Sequence, residues 1–343
     1  MRVSAGEAGV AAAWANPGRL PYALGVDRLA YVDLDEADFL AASFLDGRLL
    51  EGRAGPSWAP WAEVESAARV APGTSDWIFH MGHVGSTLLS RVLGGADGVF
   101  ALREPAILRE LAALAPGTAP DPRLETVLRL LSRVWRPGER SMIKATSFVT
   151  SLGPLILGLQ PSARALLLYA APQLHIAGLL AGPGSMRDVS AMTLGRAARL
   201  EARLGLAIGG DVEPPGARAA LAWACEIVGL ADIAAVAPSR VIWLDFDRFL
   251  GDPRTGLSRL LSHFGLSASG DRVERLLASP DFHRYAKDVR HPFDAVARRD
   301  VLAQALRDHH DEVERGLEWL NRLGSRSPDF AQAARLAAAA RAV

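Results

Sequence analysis

The chain has 343 residues, and its 38 Lys+Arg are balanced by 38 Asp+Glu, giving a formal net charge of +0. That balance argues against a protein that grips nucleic acid by bulk electrostatics, although a local anion site stays open. Hydrophobic residues make up 50% and charged residues 22%, which excludes long disorder and fibres.

Residues 1–75 mix short apolar runs with Pro and Gly and contain a predicted helix over 36–44. They are read as an N-terminal extension packed on a domain covering 76–343. The opening segment lacks a continuous apolar core before Trp14, Asn16 and Pro17, so no signal peptide is expected. Apolar runs at 165–171 and 176–181 fall short of the ~20 residues of a spanning helix, so a soluble protein without a membrane partner is expected. The single cysteine, Cys225, can form no internal disulfide, and a reduced, cytoplasmic setting follows. Oligomeric state is not legible.

The clearest strand covers 77–81, followed at once by Gly82-His83-Val84-Gly85-Ser86 and by a buried helix over 87–93 that Gly94-Gly95 stops. Further strands are predicted at 98–102, 142–145, Ala165–Tyr169 and Val241–Asp245. Between them lie helices at Ile107–Leu114, 123–134, 152–159, 190–206 and 218–236. Helices at 253–264, 271–277, 298–323 and 330–342 end the chain, with an irregular basic segment at 283–292. Short apolar strands alternating with helices predict a three-layer α/β sandwich with a mainly parallel sheet and a helical C-terminal part. Ligands in such sheets bind beyond the carboxyl ends of the strands.

A small-residue loop between strand and helix points backbone N–H groups at an anion, and the helix dipole adds positive potential. A nucleotide triphosphatase requires G-x-x-x-x-G-K-[ST] here, whereas this chain has His80 at the first Gly position and Ser86 at the Lys position. Phosphotransfer is therefore the weaker enzymatic alternative. Of the 38 basic residues only Lys144 and Lys287 are lysines, so Lys144 stands out at the end of an apolar strand.

The string FHMGHVGSTLLSRVLGGADGVFALREPAILR, 79–109, resembles the sulfotransferase family, especially its bacterial and protein-tyrosine branches. Gly85, Ser86 and Thr87 match the family's G-[ST]-T, while His83 stands where Lys or Arg is usual and Val84 where Ser is. MIKATSFV around Lys144 and the segment 241–266 extend the likeness. The resemblance implies a P-loop nucleotide-binding-type fold and 3′-phosphoadenosine 5′-phosphosulfate as donor. The donor's 5′ end would lie on Gly82, His83, Gly85, Ser86, Thr87 and Leu88. It also implies sulfuryl transfer to a hydroxyl or amine of a small-molecule acceptor, with no metal and no nucleic acid. The catalytic candidates are Glu104 as base, 21 residues beyond His83, with His83 as loop cation and Lys144 as a sulfate or phosphate contact. His175 is the next candidate base, and Lys144 and His83 are expected on the rim of one cavity.

The chain departs from the family where an Arg and a Ser clamp the 3′-phosphate: Ala170 and Gly178 stand there. Arg187, Arg196 or the basic residues Arg284, Lys287 and Arg290 are candidate replacements. The missing clamp also supports a different class of protein, a non-catalytic descendant that binds a nucleotide or partner. Plainer readings stand beside several candidates. Glu104 suits the first turn of a helix, Lys144 can snorkel, and His80 suits a structural position. Arg103 can pair with Glu104 or bind substrate. Asp245 and Asp247 suit a turn and helix start, and Trp223 and Cys225 suit a core helix.

Overall fold

In the computed structural model, residues 13–114, 121–208, 212–283 and 295–342 are described. Three antiparallel strands come first: β1 (Arg19–Leu24), β2 (Arg28–Asp33) and β3 (Ser57–Pro60), in the order β1-β2-β3. The main sheet follows with β4 (Ser75–His80), β5 (Val99–Arg103), β6 (Arg140–Lys144), β7 (Ala165–Tyr169) and β8 (Val241–Asp245), all parallel and ordered β5-β6-β4-β7-β8. All residues of β4 and β7 are buried: β7 is a continuous apolar run and β4 has Trp77-Ile78-Phe79 at its centre, as suits strands covered on both faces. The fold is a three-layer α/β sandwich with a helical C-terminal part. Because β4 is central, the chain leaves it toward β5 and β6 on one side and later returns to β7 and β8 on the other. The carboxyl end of β4 is therefore the switch point at which open α/β sheets bind ligands.

The antiparallel sheet is absent from the sequence reading of 1–75. Its strands are short and broken by Pro21 and Gly25, and the β1–β2 register shifts between Pro21 and Ala23. This N-terminal part is tied to the core through backbone groups. The Arg133 guanidinium donates to the carbonyls of Asn16 at 2.8 Å and Arg19 at 2.6 Å, and the Glu110 carboxylate accepts from Leu24 N–H at 2.6 Å.

Two predicted helices are each a pair. The 190–206 helix is Pro183–Ala191 and Thr193–Leu204, broken at Met192. The 298–323 helix is Ala295–Asp308 and His310–Arg326, broken near His309, whose ψ is 26°. Neither break carries Gly or Pro, so the sequence gives no punctuation there. Helix Pro215–Val236, 22 residues, is long and apolar enough to cross a membrane by length and composition alone, and 61% of its apolar stretch is buried inside the fold, as in a core helix. It packs against Gly153–Leu159, Pro172–Leu180, Thr193–Leu204 and His310–Arg326, and buries Glu226.

Candidate functional site

A cavity of about 820 Å³ opens at the carboxyl end of β4. All of the site residues read from the sequence line it: Gly82, His83, Gly85, Ser86, Thr87, Leu88, Glu104 and Lys144. The segment after β4 is a loop, and the helix Ser86–Gly94 follows it with Gly85 as N-cap in the left-handed region, φ 67°. No side chain caps this helix, and Ser86, Thr87 and Leu88 of its first turn line the cavity; the N–H groups at a helix start have no partner within the helix. Gly85 is required twice: a Cβ there would sit 2.0 Å from the Phe246 ring, and its backbone conformation is one that side chains disfavour.

The β5/β6 side of the cavity is a chain of alternating charges. Lys144 Nζ, buried at the end of β6, lies 2.5 Å from Glu104 Oε1 and 3.1 Å from Thr87 Oγ1. Glu104 Oε2 accepts from Arg109 at 3.0 Å, Arg109 lies 3.5 Å from Asp46, and Asp46 pairs with Arg48 at 2.5 Å. Glu104 has a left-handed backbone, φ 55°, and its N–H donates to the Lys144 carbonyl at 2.7 Å, which fixes the carboxylate against the amine. Burial would push the Glu104 carboxyl up, but Lys144 beside it, helped by Arg109, holds it below its ordinary value. Arg103 does neither of the things its sequence position suggested. Its buried guanidinium donates to the carbonyls of Phe39 and, at 2.7 Å, of Ala42, and so anchors the segment that carries Phe44 and Arg48 to the cavity.

The opposite side is built from helices Pro172–Leu180, Pro183–Ala191, Thr193–Leu204 and Ala295–Asp308. His83, at φ 66°, places Nδ1 3.2 Å from Ser185 Oγ. His83 and Lys144 thus line the same cavity, His83 exposed and Lys144 buried. The Gly82 carbonyl accepts from His175 Nε2–H at 3.0 Å, which fixes the tautomer, and Nδ1 is buried without a partner. Burial lowers the His175 imidazole to about 4, so it is neutral at pH 7. His80 also lines the cavity with both ring nitrogens unpartnered, and burial, aided by Lys144, lowers it to about 4 as well.

Where the family's clamp residues would stand, Ala170 and Gly178 line the cavity without a polar side chain, and a Cβ on Gly178 would lie 3.3 Å from Leu302. Of the candidate replacements Arg196 lines the cavity. Arg284, Lys287 and Arg290 lie outside the described residues. Sequence reasoning missed Arg48, Arg109 and Arg298 as cavity cations. They sit on segments far apart in the chain, and Arg is so common here that identity gives no signal. Asp245 caps the helix Phe246–Gly251 and pairs with Arg341 at 2.9 Å, while Asp247 pairs with Arg298 at 2.8 Å. Trp223 is core, donating to the Ala170 carbonyl at 2.9 Å. Among the described residues no group of three or more His, Cys, Asp or Glu is placed to hold a metal.

No family model matches the chain, and no curated protein matches it. Solved structures similar to it include the sulfotransferase domain from the curacin biosynthetic pathway, at 15% identity and a TM-score of 0.38, covering 61% of this chain and 79% of that one. A sulfotransferase from Alicyclobacillus acidocaldarius is similar at 14% identity and a TM-score of 0.36, covering 66% and 98%. Mouse sulfotransferase SULT7A1, solved with PAP, is similar at 9% identity and a TM-score of 0.36, covering 78% and 96%.

Proposed function

We infer that the chain is a transferase of the sulfotransferase type, passing a sulfuryl group from 3′-phosphoadenosine 5′-phosphosulfate to a hydroxyl or amine of a small molecule held in the cavity. The observation that carries this reading is the uncapped start of helix Ser86–Gly94, opening into the cavity with the Lys144 amine 3.1 Å from Thr87 Oγ1. A helix start whose N–H groups have no partner within the helix and a buried cation next to it would together stabilise an anionic group. The donor would supply an activated sulfuryl group. The N–H groups of Ser86, Thr87 and Leu88 would hold its 5′-phosphate and Lys144 would neutralise charge building on the oxygen from which sulfur departs. Glu104 would take the acceptor's proton as the new S–O bond, or S–N bond for an amine, forms and adenosine 3′,5′-bisphosphate leaves, which requires Lys144 to leave Glu104 for the donor.

Adenosine 3′,5′-bisphosphate is the probe. Calorimetry is expected to show that it binds more tightly than ATP, and preference for ATP would move the assignment to phosphotransfer. With an acceptor in hand, Glu104→Gln is expected to lower turnover by ~10² to 10⁴ at nearly unchanged donor affinity. A Glu104→Gln enzyme at full rate would make Glu104 structural.

A second reading has its own observation. Both Glu104 oxygens are already bound, to Lys144 and Arg109, and Ala170 and Gly178 offer a 3′-phosphate nothing. A nucleotide- or partner-binding protein without turnover has this appearance too. Binding of the bisphosphate with no transfer to any of a panel of phenols, sugars and amines would favour it.

A further inference from the structure

Arg196 differs from the other cavity cations in how it is held. It lines the cavity, yet its Nε and Nη1 are buried with no hydrogen-bond partner. Its counter-charge, Glu226 on helix Pro215–Val236, lies 3.7 Å from Nε, outside hydrogen-bond distance. The same Glu226 oxygen is 4.0 Å from Arg199, so two guanidinium groups share one carboxylate. The cluster carries one more positive charge than negative, in a place where water reaches little of it. Burial further disfavours the Glu226 charge, raising its carboxyl to about 7 against the pull of Arg196 and Arg199. A buried guanidinium with free N–H groups costs free energy unless something accepts from it. Its planar fork fits a carboxylate or phosphate edge-on.

The surroundings point the same way. Arg196 and Arg298 line the same side of the cavity as the neutral His175 imidazole, and Arg298 is already paired with Asp247 at 2.8 Å, which leaves Arg196 as the loosely held guanidinium there. The Lys144 amine, by contrast, is engaged with Glu104 on the other wall.

We propose that Arg196 is a second oxyanion anchor in this cavity, separate from the loop at Ser86, with Glu226 as the positioning residue beneath it. The ligand it serves carries an anionic group at a distance from the group bound on the loop. That group is a carboxylate on the acceptor or a second phosphate on the donor. The proposal rests on the reading of this cavity as the ligand site, and is tested without assuming which ligand is native.

Inorganic sulfate is the first probe. The Arg196 Nε–H resonance, assigned by its loss in Arg196→Lys, is expected to shift and saturate as sulfate is added to the full chain. A resonance that stays in place through the titration overturns the proposal. Glu226→Gln, which leaves Arg196 its charge but loosens its hold, is expected to weaken that saturation severalfold, and unchanged saturation removes Glu226 from the role.

Nucleotide probes then separate the two sources. If the anchor serves the donor, Arg196→Gln weakens adenosine 3′,5′-bisphosphate at least tenfold while adenosine 5′-monophosphate changes less than twofold. If it serves the acceptor, both nucleotides are unchanged, and the KM of a carboxylate-bearing acceptor rises at least tenfold relative to its amide. A variant that shows neither loss overturns the proposal. A wild type that binds no adenosine nucleotide while sulfate still shifts Arg196 defeats the sulfotransferase reading and leaves the anchor standing.

Discussion

The β5/β6 wall and the helical wall of the cavity both carry buried charge, but they hold it at different distances. On the first, Lys144, Glu104, Arg109, Asp46 and Arg48 run in sequence with separations of 2.5, 3.0, 3.5 and 2.5 Å. On the second, Arg298 pairs with Asp247 at 2.8 Å, but Arg196 stands 3.7 Å from a carboxylate that it shares with Arg199. Charges in short pairs have already recovered much of their desolvation cost from each other, and a ligand must break a pair to recruit one. The looser wall still has donors to offer. The difference separates a wall whose charges are spent on one another from a wall on which Arg196 makes no short bond.

The largest expected effect breaks the first wall. Lys144→Met leaves the Glu104 carboxylate buried with Arg109 alone, and removing one partner of a buried pair typically costs about 3–5 kcal/mol. Arg196→Gln removes a group that makes no short bond, and is expected to cost under about 1 kcal/mol. Urea unfolding at pH 7 reads both. In the double variant Lys144→Met/Glu104→Gln most of the loss should return, since no unpaired charge remains. Equal costs for Lys144→Met and Arg196→Gln would show that the two walls are held alike.

Gly85 lies where the walls meet, under Phe246 from the end of β8, and gives the next largest effect. Gly85→Ala must displace the Phe246 ring, which a Cβ would approach to 2.0 Å, and must keep φ at 67°. Overpacking of this kind costs roughly 1–3 kcal/mol. Phe246→Leu in that background should return only part of it, because the unfavourable backbone angle remains. Full recovery would mean that the contact alone demands glycine at this position.

How much of this was legible in the sequence follows from distance along the chain. The strand, loop and helix around Gly82–Leu88 read directly, because apolar run, small residues and apolar helix follow one another locally, and β7 and β8 read to the residue for the same reason. Lys144 was conspicuous as a rare lysine. Its partnership with Glu104 was not, since it depends on β5 and β6 pairing in the register Arg103↔Lys144, and Glu104 follows directly on that pair. Arg48 and Arg298 reach the cavity from opposite ends of the chain. No local pattern marks an arginine as facing a cavity when nearly every cation is an arginine. The antiparallel sheet was hidden because Pro21 and Gly25 read as loop signals while serving at a register shift and a hairpin end.

A pH-dependent effect sharpens the second wall. Glu226 faces Arg196 and Arg199 from the neighbouring helix and the Cys225 thiol on its own helix, which burial raises to about 11 and so keeps neutral. Its folded pKa of about 7 lies above its unfolded value, so the folded state binds more protons between about pH 4.5 and 7. Stability contributed by this group is therefore fullest below the unfolded pKa and declines as pH rises through about 7, by at most ~1.4 kcal/mol per pH unit. His80 and His175 act with the opposite sign. Their folded values of about 4 lie below the unfolded imidazole, so their contribution is present above about pH 6.5 and lost as pH falls toward 4. Glu226→Gln removes the falling component alone. Measured by urea unfolding from pH 5 to pH 8, the variant should gain on the wild type as pH rises to about 7 and then hold that gain, even though the substituted amide also gives up the attraction of Arg196 and Arg199. Two stability curves that run parallel across that range would mean Glu226 is fully ionised throughout, and that Arg196 already has the complete counter-charge its loose geometry was taken to lack.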